Sequence, residues 1–140
     1  MEAKLKTRFV VAVSLLISVF ALCWNALVHL VVLKTSDAAM TAIRRPDFAD
    51  KLWISILVTI ALAVLYSISS LHWRRKGGLK ESVVHSLYFV ALVGIAVDLN
   101  QYVLYALPFA LVVKWFSFGV VEFIVYGLIA EAVYSRHALT

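Results

Sequence analysis

Asp98 and Glu122 each lie inside an apolar stretch long enough to cross a membrane. A carboxylate at mid-helix costs about 2.5–3.5 kcal/mol on insertion scales. An acid kept there against that cost serves one of a few ends: it relays a proton, contacts a cation, ligates a metal, or bonds helices in register. Asn25, His29, Thr59 and Gln101 are its polar companions in the other stretches. Counting along each stretch puts Glu122 near mid-depth and Asn25 slightly beyond it, away from the N-terminal side. His29 and Asp98 lie further out, and Gln101 further still. The six residues predict an outward-opening polar pocket that binds a ligand or a proton.

The spacing limits the chemistry. One His with two carboxylates, here His29, Asp98 and Glu122, is an acceptable set for zinc, iron or manganese. Yet the chain has no H-x-x-x-H, E-x-x-H or C-x-x-C, so the three are weak metal candidates. A bis-His haem needs two histidines at one depth, whereas His29 and His85 fall near opposite ends of their stretches. No cofactor is identified. No nucleophile–base pair is visible, and the reading leans away from an enzyme. Glu131 is nine residues after Glu122, about 180° around an ideal helix. It is left out of the site, as an acid near a helix end that reaches for water or Arg136.

Four helices must position these groups. The apolar runs 9–33, 52–71, 83–105 and 109–134 predict one all-α transmembrane domain over 1–140, a four-helix bundle with short loops. The first run reaches roughly 37 Å, enough to span a 30 Å core with tilt. The third meets Asp98, Asn100 and Gln101 late but turns apolar again through Tyr105, and Pro108 ends it. The loop 34–50 predicts a short outer interfacial helix, Ala38–Arg45, capped by Ser36 or Asp37 and ended by Pro46. As a lid it would cover the pocket; as a connector it would do nothing more.

Two polar stripes support inward faces. Ser14, Ser18, Asn25 and His29 recur at gaps of 4, 7 and 4, and Ser55, Thr59, Tyr66 and Ser70 repeat those gaps. In lipid such stripes turn toward other helices or a wet cavity. Gly119, Gly127 and Ala130, with Ser86, Ala91 and Gly94, permit close helix approach, either within the bundle or at an oligomer seam.

Composition agrees. The 140 residues are 64% hydrophobic, against about half in soluble domains. The formal charge of +5 gathers at the ends of apolar runs, a placement that suits topology and anionic headgroups and not nucleic acid. Lysine and arginine number eight on the side of the N-terminus and the 72–80 connection, and five on the other. The positive-inside rule then places both termini in the cytoplasm, in a bacterial cytoplasmic membrane. The single Cys23 rules out an internal disulfide or a thiol-oxidising pair. In size the chain is similar to small multidrug-type transporters, but their buried Glu lies in the first span and their mechanism does not carry over.

The function expected from these residues is a membrane protein that binds or transports a small solute, ion or lipid-like ligand through the outer pocket. An accessory subunit of a larger membrane complex is the alternative, and a membrane-embedded enzyme acting on a lipid or quinone the second. The partners expected are the bilayer and either a second copy or a complex subunit.

Overall fold

Hydrocarbon offers backbone amides no water, so an apolar chain must satisfy them within its own helices. The computed structural model describes Glu2–Ala138 and contains no strand among those residues. Helix α1 (Glu2–Leu27) runs into a π-helical turn, Val28–Val32. A single helical turn, α2 (Lys34–Asp37), leads into the 3-10 segment Ala38–Ala42. Helix α3 covers Leu52–Trp73 and α4 Leu79–Val93. A second π-helical turn, Gly94–Leu99, joins α4 to α5 (Asn100–Leu104), and α6 covers Phe109–Ala138. Four of these stretches are long and apolar enough to cross a membrane: Lys6–Val32, Ala49–Trp73, Leu79–Leu104 and Phe109–Arg136. They mark the chain as an integral membrane protein by composition.

Breaks fall where backbone chemistry requires them. Pro108 precedes α6, and its lack of an N–H suits a helix start. The α3–α4 turn places Gly77 at φ 77° and Gly78 at φ 100°, a region that side chains with a Cβ rarely enter.

Helix α1 packs against both α3 and α6, and α4 packs against α6 and touches α3. Phe9 meets Tyr134 edge-on at 5.9 Å, so both ends of the chain lie at one end of the bundle. The core is concentrated in that half. Val13, Ile17, Tyr66, Phe123, Tyr126 and Ala130 are buried together. Tyr66 is central: its ring contacts Phe89, Phe123 and Tyr126, and its hydroxyl lies 2.6 Å from Ser86 Oγ. In the opposite half, Leu52–Val58 of α3 is exposed.

The first polar stripe is split: its first two members turn inward, Asn25 is half-buried, and His29 is exposed. Ser14 and Ser18 are buried, and Ser14 Oγ donates to Ser67 Oγ at 3.1 Å. The second is also split: Tyr66 and Ser70 are buried, whereas Ser55 is exposed. Small residues on α4 and α6 serve internal packing. A Cβ on Gly127 would lie 2.5 Å from Ser86 Oγ, and one on Gly94 would lie 2.4 Å from the Phe116 ring.

Two expectations need correcting. The 34–50 connection is helical from an earlier point than expected: a single α-helical turn, Lys34–Asp37, runs into a 3-10 helix over Ala38–Ala42, the first part of the 38–45 stretch. Neither Ser36 nor Asp37 makes a capping bond, because both side chains bond elsewhere. Glu131 stays partly exposed, but its ion-pair partner is Arg74 and not Arg136. It pairs with Arg74 at the start of the α3–α4 turn and accepts Ser82 Oγ at 2.9 Å. Five residues separate Glu131 from Arg136, which places them about 140° apart on the helix.

Candidate functional site

Glu122 sits on α6 midway along its span, 9% exposed. One oxygen, Oε1, accepts both the Tyr126 hydroxyl at 2.5 Å and Asn25 Nδ2 at 3.1 Å. Tyr126 is four residues on and therefore on the same helix face. Asn25 comes from α1, where its Nδ2 also donates to Ala21 O at 2.9 Å. Both donors are thus fixed by their own helices, and the acid bridges α1 and α6. The second oxygen, Oε2, takes no hydrogen bond among the described residues.

Away from the termini, the outer connection is tied down over the start of α6. His29 Nδ1 lies 2.7 Å from Asp37 Oδ2. Trp115 Nε1 donates to Asp37 Oδ1 at 3.1 Å, and Lys114 Nζ donates to Ser36 Oγ at 3.0 Å. Asp37 is therefore the knot of a strap joining α1, α2 and α6. Beyond it, Arg45 bonds Asp47 at 3.0 Å and holds that carboxyl below the usual carboxylate range, with Lys51 acting in the same direction.

The strap makes a test possible. Asp37→Ala removes the acceptor for both His29 and Trp115, a loss of about 1 kcal/mol of local stability. Trypsin cleavage after Arg44 should accelerate about fivefold, since cleavage follows the population of the open segment. An unchanged rate would mean that the backbone alone holds the strap.

The π-helical turns explain where the remaining candidates lie. Such turns insert an extra residue and shift the faces beyond them. The first contains His29, which leaves the Asn25 stripe and turns to Asp37. The second contains Asp98, half-buried, which makes no side-chain hydrogen bond or ion pair among the described residues. Thr59 donates back to its own helix, to Ser55 O at 2.9 Å. Gln101 is half-buried; its backbone carbonyl accepts the Tyr105 N–H at 2.9 Å, and its side chain makes no hydrogen bond among the described residues.

Direct contact therefore joins Asn25 and Glu122 among the six. His29, Asp98, Thr59 and Gln101 bond none of the others among the described residues. No group of three His, Cys, Asp or Glu side chains stands close enough to hold a metal ion among the described residues. His29, Asp98 and Glu122 accordingly form no ligand set.

Tyr126 is the residue that the depth argument missed. The signal was present in its i, i+4 spacing from Glu122. A carboxyl with one anchored oxygen and one without a hydrogen bond can exchange a proton or contact a cation without disturbing the helices that hold it. The chain matches no protein-family model, no curated protein and no solved structure.

Proposed function

We propose that the chain is a non-enzymatic membrane protein that binds or moves a small solute, ion or lipid-like ligand. Entry is from the side away from the termini, and Glu122 is the group that meets a proton or cation. The observation behind this reading is the asymmetry of that carboxyl: Oε1 holds both donors and Oε2 holds none among the described residues. A purely structural acid would be expected to use both oxygens, because each unpaired one adds to the cost of burial. Asn25 orients the carboxyl, and Asp98, His29 and Gln101 lie along the approach from outside, with Thr59 at its margin. By the positive-inside rule both termini face the cytoplasm of a bacterial cell.

Association with another chain is a second component. Leu52–Val58 of α3 is exposed and includes Ser55, the outermost member of a polar stripe. Lipid satisfies no hydroxyl, so this face suits a helix from a second copy or from a partner in a membrane complex.

The test uses the proton as probe. Full-length protein is reconstituted in liposomes, and proton entry is read with an internal pH dye under an imposed potential. Glu122→Gln keeps an acceptor for Tyr126 and Asn25 but cannot carry a proton. It should reduce flux to the protein-free rate while leaving helix content and melting unchanged. Wild-type flux in that variant would remove Glu122 from the path.

A further inference from the structure

At the end of the bundle that carries the termini, well away from Glu122, the surface forms a cleft of about 270 Å³. Its walls include Lys6 from α1, Arg74, Arg75, Lys76 and Gly77 from the α3–α4 turn, and Tyr134 from α6. Four cations at one small opening would repel one another unless anions compensated them. Among the described side chains two carboxylates stand nearby, and both are already engaged. Glu81 accepts the backbone N–H groups of Arg75 at 2.8 Å, Lys76 at 3.2 Å and Gly77 at 2.7 Å. Glu131 is held by Arg74 and Ser82.

The cleft is also pre-formed. The three bonds to Glu81 and the positive-φ glycines fix the turn. Arg74 is fixed from both sides: its guanidinium pairs with Glu131, and its carbon centre lies 3.7 Å over the Tyr134 ring. That side chain is 7% exposed, yet its Nε has no hydrogen-bond partner. A buried guanidinium donor without an acceptor is costly. Gly77 keeps the space beside it open, because a Cβ there would lie 3.5 Å from Nε. An unpaired buried donor, a glycine-cleared approach and exposed Arg75 and Lys76 side chains describe a receptor for an oxyanion. Phosphate, with several strong acceptor oxygens, matches arginine donors best.

We infer that this cleft binds a phosphate group, with Arg74 Nε, Arg75 and Lys76 as its donors. The group belongs either to the headgroup of an anionic phospholipid, which the position at the end of four spans favours, or to a soluble phosphate. Its anion would supply the acceptor that Arg74 Nε lacks. The site is independent of the Glu122 pocket.

The experiment uses the full chain in zwitterionic detergent. It is titrated with phosphatidylglycerol, with phosphatidylcholine and with inorganic phosphate, and binding is read by native mass spectrometry and calorimetry. Phosphatidylglycerol should be retained in preference to phosphatidylcholine. The variant R75Q/K76Q should weaken its binding about tenfold, given the attraction of each basic residue near an anionic headgroup. Both side chains are exposed, so circular dichroism should be unchanged. The variant K34Q/R44Q, which removes two charges at the opposite end, should leave binding within about twofold. If inorganic phosphate binds with the same dependence on R75Q/K76Q and displaces the lipid, the site holds and its ligand is a soluble phosphate. Equal weakening by the two double variants, or equal binding of the two lipids, would overturn the site.

Discussion

Glu131→Ala is expected to destabilise the fold by about 3–5 kcal/mol, the largest single-residue loss predicted for this chain. The Arg74 side chain is 7% exposed and that of Glu131 18%, so removing the acid strands a guanidinium that water barely reaches. Ser82 loses the acceptor of its hydroxyl at the same time. The pair itself is a different matter. Two charges removed together leave nothing uncompensated, and a buried ion pair can often be exchanged for apolar residues of similar volume at little cost. R74M/E131L should therefore lie within about 1 kcal/mol of the parent in denaturant unfolding in mild detergent. If the double variant proved as unstable as Glu131→Ala, the loss would have to come from packing around Tyr134 and not from the stranded charge.

How far these groups could be read from residue order depends on the distance over which each interaction is specified. The four helices follow from local facts: apolar runs that must bond their own backbone, and Pro108, Gly77 and Gly78 where the chain must turn. The inward stripe through Ser14, Ser18 and Asn25 follows from helical period alone, and Asn25 does face Glu122. The period fails at Val28, where the π-helical turn begins, and so His29 joins Asp37 instead. No residue type announces such a turn, and nothing in the spacing of Val28–Val32 distinguishes it from an ordinary helix. Arg74 and Glu131 were illegible for another reason. They are 57 residues apart, and depth alone left Arg136 an equally good partner for Glu131. Tyr126 shows the opposite failure. Its position one turn from Glu122 was plain, but an argument built on depth across helices passed over the neighbour on the same helix.

Gly127→Ala is expected to cost about 1–3 kcal/mol, the range for forcing extra atoms into a packed seam. Its new Cβ would lie 2.5 Å from Ser86 Oγ and 2.9 Å from the Ser82 carbonyl. The carbonyl is backbone and cannot rotate away. Ser86 has little freedom either, since its hydroxyl lies 2.6 Å from Tyr66 OH and donates to Ser82 O at 2.9 Å. Helices α4 and α6 must therefore separate. Gly119, eight residues earlier on the same helix, provides the control. The nearest atom to its added Cβ is Val90 Cγ2 at 3.8 Å, an ordinary contact. Gly119→Ala should be neutral, or should gain a few tenths of a kcal/mol from helix propensity. Unfolding of the two variants side by side separates seam packing from any general effect of glycine in α6, and equal stabilities would dismiss the seam. The consequence extends beyond stability. Tyr66 packs against Tyr126 at 5.4 Å, and Tyr126 donates to Glu122. A shifted seam should therefore disturb the proton flux that depends on Glu122, whereas Gly119→Ala should leave it intact.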